Sequence, residues 1–220
     1  MRKAGDLINE YLREGRLAAN RSQPIGAGSF GTVYQSDVPG NVIKQKHGYS
    51  PYDFAEEADL QSVAADMGIA PRVAGVETFA GGVGDRIEMA DVRPNFEQHF
   101  NDYEMPVGRD GIRVSQQTGQ LALKGIRLDD RNENNVFYNK MTGRPMQIDF
   151  GISSKVSGSD QVSALADATA SGFANAGLRD VAEIYSATVY DLLAGGDVAE
   201  AMDVAKQGFS RLQKIKQPYL

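Results

Sequence analysis

The stretch Ile25-Gly26-Ala27-Gly28-Ser29-Phe30-Gly31-Thr32-Val33-Tyr34 decides how the first part of this 220-residue chain is read. Its G-x-G-x-x-G-x-V spacing puts three glycines where a backbone can approach phosphate oxygens without side chains in the way. The same spacing opens a helix in dinucleotide-binding folds, so the residues that follow matter more than the glycines. Here Thr32-Val33-Tyr34 is β-prone and leads to a turn at Pro39-Gly40-Asn41 and a further β-prone run. Residues 22–46 therefore read as strand, glycine turn, strand, tight turn, strand.

Val42-Ile43-Lys44 places a lysine on the last of these strands. A strand lysine can pair with phosphate oxygens, provided an acid holds its ammonium in place. Residues 51–68 read as a helix that starts at Ser50-Pro51 and stops at Gly68, with Phe54, Leu60, Val63, Ala64 and Met67 as its apolar face. Glu56 leads that face, with Leu60, Val63 and Met67 at +4, +7 and +11. It is the expected partner of Lys44, and Glu57 is the alternative. Two short strands, near 72–79 and 85–90, follow around Gly81-Gly82.

The polar run Leu128-Asp129-Asp130-Arg131-Asn132-Glu133-Asn134-Asn135-Val136 lies between an expected helix over 114–124 and the strand-like Val136-Phe137-Tyr138. A turn at Met141-Thr142-Gly143 leads to a second strand-like run, Met146-Gln147-Ile148, and then to Asp149-Phe150-Gly151. Asp130 and Asn135 stand in a D-x-x-x-x-N spacing, and the hairpin folds Asn135 and Asp149 back together. An Asp and an Asn supply the oxygen ligands that Mg²⁺ takes alongside nucleotide phosphates. A carboxylate kept off the metal, Asp130, can accept the hydrogen of an attacking hydroxyl. Either piece alone is an ordinary solvated loop or a chance tripeptide. In this order, behind the glycines and the lysine, they form one constellation.

The remaining elements are an amphipathic helix over 4–18 (Leu7, Ile8, Tyr11, Leu12 and Leu17), a helix over 94–103 and two last helices over 179–194 and 197–213. Residues 153–177, rich in Ser, Ala and Gly, read as a long mobile loop. The chain thus divides into an N-terminal helical extension (1–20), a β-rich lobe (21–89) and a mostly helical lobe (90–220), joined near 88–92: an α+β, bilobal arrangement.

Composition narrows the function classes. The net charge of −6 argues against nucleic-acid binding, whose affinity comes from basic phosphate contacts. The absence of cysteine excludes thiolate metal sites, disulfides and cysteine catalysis, and two histidines leave little for a histidine-based site. No run approaches the length of a membrane-spanning helix, and the charged N-terminus lacks the apolar core of a signal peptide. A cytoplasmic protein is expected.

From about Ile25 to Gly195 the chain resembles the protein-kinase superfamily. The resemblance implies a protein-kinase-like fold with a β-rich N-lobe carrying one main helix and a reduced, mostly helical C-lobe. It implies ATP and Mg²⁺ as cofactors. Ile25, Gly26, Gly28, Ser29, Gly31, Val33 and Val42 would contact the nucleotide, together with Lys44. Lys44 and Glu56 would form the lysine–helix ion pair. Ile87-Glu88-Met89-Ala90 looks like the hinge, with the backbones of Glu88 and Ala90 on the adenine edge. Asp130 matches the catalytic aspartate, and Asn135 and Asp149 the metal ligands. Asp180-Val181 and Tyr190–Gly195 resemble the central C-lobe helix, whose leading aspartate braces the catalytic loop in that family.

The departures from the family pattern are specific. Leu128-Asp129-Asp130 stands where H-R-D is usual, which removes the arginine that receives an activation-loop phosphate. Asn132 stands where a basic residue is usual, with Arg131 adjacent as a partial substitute. No A-P-E is present, and 69 residues follow Gly151, so the helices that bind peptide substrates are mostly missing. Such compactness is similar to kinases of bacteriophages and of bacterial secreted effectors, which would place the chain in a host cytoplasm. There a supporting or activating protein partner replaces the missing helices. The expected activity is transfer of the ATP γ-phosphoryl group to a Ser or Thr hydroxyl of a protein substrate. Serines within 153–172 are candidates for autophosphorylation. The rival readings are a pseudokinase acting as a nucleotide-binding or structural module, and a small-molecule kinase.

Overall fold

The computed structural model describes residues 24–28, 31–48, 53–80, 82, 84–99 and 106–215. The helix expected over 4–18, and Ser29, lie outside the described residues. The chain divides into two compact units, one formed by residues 1–58 with 72–91 and the other by 59–71 with 92–220.

The first unit is built on strands β1 (Pro24–Ala27), β2 (Gly31–Gln35), β3 (Asn41–Lys46), β4 (Val73–Glu77) and β5 (Arg86–Ala90). They form one antiparallel sheet in the order β1-β2-β3-β5-β4. Gly40, at φ +84°, makes the turn between β2 and β3 that a residue with a Cβ would resist. Strand alternation puts Val42, Lys44 and Lys46 of β3 and Ile87 and Met89 of β5 inside. Val42, Ile87 and Met89 pack with Phe54 and Ala58, the start of helix α1 (Phe54–Asp66). Asp53 Oδ1 accepts from the Ala55 amide at 2.8 Å and so caps that start. At the other end Gly68, at φ +71°, lets the Ile69 amide return to the Ala64 carbonyl at 2.9 Å. A helix inserted between the third and fourth strands of such a sheet is the first-lobe arrangement that the kinase resemblance implies.

The second unit contains β6 (Phe96–Glu97), α2 (Gly108–Leu123), β7 (Ile126–Arg127), β8 (Val136–Asn139), β9 (Pro145–Gln147), β10 (Ser154–Lys155), α3 (Gly158–Asn175), α4 (Arg179–Ala194) and α5 (Val198–Gln213). Strands β6, β8 and β9 form a three-stranded antiparallel sheet, and β7 pairs with β10. Two expectations are corrected here. The described part of 94–103 contains the short strand β6 and no helix. Its Phe96 and Glu97 pair with Asn139 and Tyr138, a partner that local sequence does not reveal. Residues 153–177 are no mobile loop, because α3 runs through them. Alanine is the best helix former, and Val162, Leu165, Ala166, Thr169 and Phe173 recur at helical spacing as one buried face.

Helix α3 packs against α2, α4 and α5, and its small residues set how closely. A Cβ added at Gly172 would overlap Leu212, one at Gly119 would overlap the Phe209 ring, and one at Gly208 would overlap the Tyr185 ring. Leu212, Phe209 and Tyr185 are all buried, so they have little room to yield. Gly172→Ala and Gly208→Ala should each cost ~1–3 kcal/mol by overpacking. For a chain of this size that is a fall of roughly 2–10 °C in Tm by circular dichroism. At Gly195 an added Cβ meets nothing nearer than 3.5 Å, so Gly195→Ala should leave Tm unchanged or raise it.

Candidate active site

In the first unit the glycine turn joins β1 to β2, and the Gly28 amide donates to the Gly31 carbonyl at 2.9 Å. The three glycines are small for different reasons. A Cβ at Gly31 would stand 2.8 Å from the Gln45 carbonyl oxygen, so the sheet itself demands glycine there. Among the described residues a Cβ at Gly28 would meet nothing within 4 Å, and one at Gly26 only Val33 at 3.9 Å. Neither of these two has a positive φ, so neither packing nor conformation requires glycine. Open backbone of this kind fits a group that must come close, such as a phosphate. Ile25 and Val33 are half-buried and pack on the Val42 cluster, with apolar surface beside that turn.

Lys44 is buried, and its Nζ donates to Glu57 Oε1 at 2.6 Å. Glu57 is 2% exposed, whereas Glu56 is exposed. The expectation that Glu56 pairs with Lys44 is therefore corrected in favour of Glu57. The reason lies in the helix face. The buried residues of α1 are Phe54, Glu57, Ala58, Leu60, Gln61 and Ala64, while Val63, counted as part of the apolar face, is 41% exposed. Gln61 earns its buried place by donating to the Pro71 carbonyl at 3.0 Å, which an apolar-pattern reading overlooks. The Lys44 ammonium also lies 5.4 Å from the Phe54 ring centroid.

The expected hinge is also corrected. Glu88 sits in β5 between β3 and β4, opposite Ile43 on one side and Gly75 on the other, so its backbone groups belong to the sheet ladders. The Ala90 amide donates to the Arg72 carbonyl at 2.9 Å. The Glu88 carboxylate accepts from Ser36 Oγ at 2.5 Å and from Asn41 Nδ2 at 3.2 Å. Both residues thus brace the sheet, and their backbones are not presented to an adenine edge. Ile87 is fully buried opposite Lys44.

In the second unit two backbone pairings close on the polar residues. Arg127 pairs with Ser154, so the chain leaving β7 and the chain entering β10 start from one place. The hairpin pairs Val136 with Gln147, and one step further the Ile148 amide donates to the Asn135 carbonyl at 2.8 Å. Leu128 and Phe150 are anchored in one apolar cluster with Leu60, Ile69, Leu121 and Ile126. These backbone bonds fix the segments that carry Asp130, Asn135 and Asp149, and they set Asn135 across from the residue that precedes Asp149. Asp149 has φ +63°, the only positive value for a non-glycine among the described residues. Its Oδ1 accepts from the Gly151 amide at 3.2 Å. An aspartate held in the left-handed region is stored strain of a kind found at functional sites.

Asn135 is buried, and its Nδ2 donates to the Asp130 carbonyl at 3.4 Å, which turns its Oδ1 the opposite way. A carboxamide oxygen and a carboxylate are hard oxygen donors of the kind Mg²⁺ takes, so the chemistry of Asn135 and Asp149 fits that ion. Asn132 Nδ2 donates to Asp130 Oδ1, and Asn132 Oδ1 accepts from the Asn134 amide at 3.0 Å. Asn132 thus orients the Asp130 carboxylate. Arg131 is held below its usual pKa by burial, and Asp167 and Asp129 answer its charge. Its Nε has no hydrogen-bond partner among the described residues. Asp180, expected to brace this loop, is exposed at the start of α4, and Val181 beside it is 46% exposed. The buried central helix is α3, whose alanine-rich sequence concealed it.

No protein-family model matches the chain. No curated protein matches it. Solved structures do match, among them that of the Cydia pomonella granulovirus kinase PK-1, at 13% identity and a TM-score of 0.46. That match covers 68% of this chain and 61% of the viral kinase's own length.

The Lys44–Glu57 pair carries a stability consequence. Glu57→Gln removes the counter-charge of a buried ammonium and should cost about 3 kcal/mol. Glu56→Gln, on the exposed face, should stay within about 0.5 kcal/mol of wild type. Denaturant unfolding followed by circular dichroism separates the two, and equal losses would reassign the ion pair.

Proposed function

We propose that this chain is an ATP-dependent phosphotransferase, and within that class a minimal serine/threonine protein kinase. The observation that supports the reading is the left-handed Asp149, carried with Asp130 and Asn135 on backbone held by one ladder and one hairpin. Lys44, held by Glu57, would meet the nucleotide phosphates, and the open backbone at Gly26 and Gly28 would cover them. Asn135 and Asp149 would hold Mg²⁺, which supplies charge neutralisation between the β- and γ-phosphates when bound.

Asp130 takes the proton of the acceptor hydroxyl. The oxygen of that hydroxyl bonds to the γ-phosphorus while the bond from that phosphorus to the β,γ-bridging oxygen breaks, leaving ADP. Asn132 keeps the Asp130 carboxylate oriented for this step. A protein acceptor is supported by the Ser-Phe-Gly-Thr-Val-Tyr lid, residues 29–34, which the resemblance links to protein kinases. Exposed Leu178, Val181 and Ile184 on and beside α4 support a protein partner as part of the same reading.

A second reading, a nucleotide-binding module without turnover, is favoured by one specific feature. Asn132 is neutral where the resemblance implies a cation for the transferring phosphoryl group, and Arg131 is half-buried, with its charge answered by Asp167 and Asp129.

Incubation with γ-labelled ATP, Mg²⁺ and a host lysate or a generic substrate distinguishes the two readings. Wild type should transfer label, and Asp130→Ala and Asp149→Ala should each lower the rate by roughly 10²-fold or more. Nucleotide binding by wild type with no transfer to itself or to any protein would establish the module instead.

A further inference from the structure

Outside the groups named so far, the most constrained polar cluster in the second unit centres on Glu133. This carboxylate is 4% exposed and lies in the 3-10 turn Glu133–Asn135 between Asp130 and β8. Burying a carboxylate is costly unless donors meet it. Tyr138, itself fully buried on β8, donates its hydroxyl to Glu133 Oε2 at 3.2 Å. Burial and then the Glu133 charge raise the Tyr138 pKa, so the hydroxyl keeps its proton and remains a donor.

The tyrosine ring is itself fixed. It packs with Val114 and Val136, and the His99 ring stacks on it at 3.9 Å between centroids, 7° from parallel. His99 Nδ1 in turn meets Asp110 Oδ2 of α2 at 2.9 Å. On its strand Tyr138 is paired on both sides, with Glu97 and with Pro145. The Glu133–Tyr138 bond therefore ties the loop to the middle strand of a sheet. Asn135 lies inside the short segment that this bond closes.

We infer that Glu133 is a positioning residue, which through the Tyr138 hydroxyl holds the turn that aims Asn135 at a divalent cation. The inference rests on the phosphotransferase reading for its catalytic consequence, but not for its geometry. Without the Tyr138 hydroxyl the buried carboxylate loses a donor, the turn loosens, and the carboxamide oxygen of Asn135 is no longer held in register with Asp149. Groups that orient metal ligands typically change metal affinity or activity by about 10–100-fold when removed.

Tyr138→Phe deletes the donor and keeps the ring, its stacking and its packing. Hydrogen exchange in the absence of nucleotide should then quicken at the amides of 133–136, while those of α3 keep their wild-type protection. In the labelled-ATP assay the Mg²⁺ concentration for half-maximal rate should rise about 10-fold, with the KM for the acceptor changed less than about twofold. Glu133→Gln retains an acceptor for the hydroxyl and should recover much of what Glu133→Ala loses, an outcome that simple loss of packing does not give. Wild-type exchange at 133–136 in Tyr138→Phe, or an unaltered Mg²⁺ dependence, would overturn the inference. Absence of label transfer by wild type sinks the phosphotransferase reading alone, because exchange at 133–136 still decides whether the bond holds the turn.

Discussion

The chemistry of the second unit depends on one constraint: the hydrogen-bonded closure of the segment between β7 and β10. Residues 128–153 are mostly polar and would wander if left to themselves. Pairing of Arg127 with Ser154 fixes both ends, and pairing of β8 with β9 folds the middle back. Leu128 and Phe150 then pin the two halves into a shared apolar cluster. These steps fix the backbone on which Asp130, Asn135 and Asp149 stand. In the first unit the Lys44–Glu57 ion pair plays a similar part: sheet alternation sends Lys44 inward and the helix phase brings Glu57 to it.

Legibility in the sequence followed the range of the interactions. The β-rich beginning, its glycine turn and the β8–β9 hairpin rest on local turn chemistry and alternation, and they were readable. The 94–103 region was not, because β6 exists only through its pairing with β8. Helix α3 is hard to read from sequence for another reason. Its buried face is made of Ala, Thr and Gly as much as of Val, Leu and Phe, so its apolar stripe looks like a linker when large side chains alone are counted. The choice between Glu56 and Glu57 went the wrong way because the inward face of α1 includes Gln61 and excludes Val63.

Among the proposed site residues, Asp130, Asn135 and Asp149 were legible as a pattern, since D-x-x-x-x-N and the hairpin are both local. The backbones of Glu88 and Ala90 were misjudged because a strand with neighbours on both sides looks, in sequence, like a strand with one. The Glu133–Tyr138–His99–Asp110 chain has no signature in the sequence. No spacing rule links a buried glutamate to a tyrosine five residues on and a histidine from another strand's flank. Buried polar groups announce themselves only once burial is known.

The left-handed backbone at Asp149 narrows what any variant at that position can mean. A β-branched or bulky residue there resists the twist, so its effect mixes a distorted main chain with a missing charge. Asparagine and glycine tolerate the twist, and neither is anionic. The two requirements, a bend and a negative charge, are met together by aspartate alone, so comparing Asn, Gly and Val at residue 149 would resolve shape from electrostatics at one position.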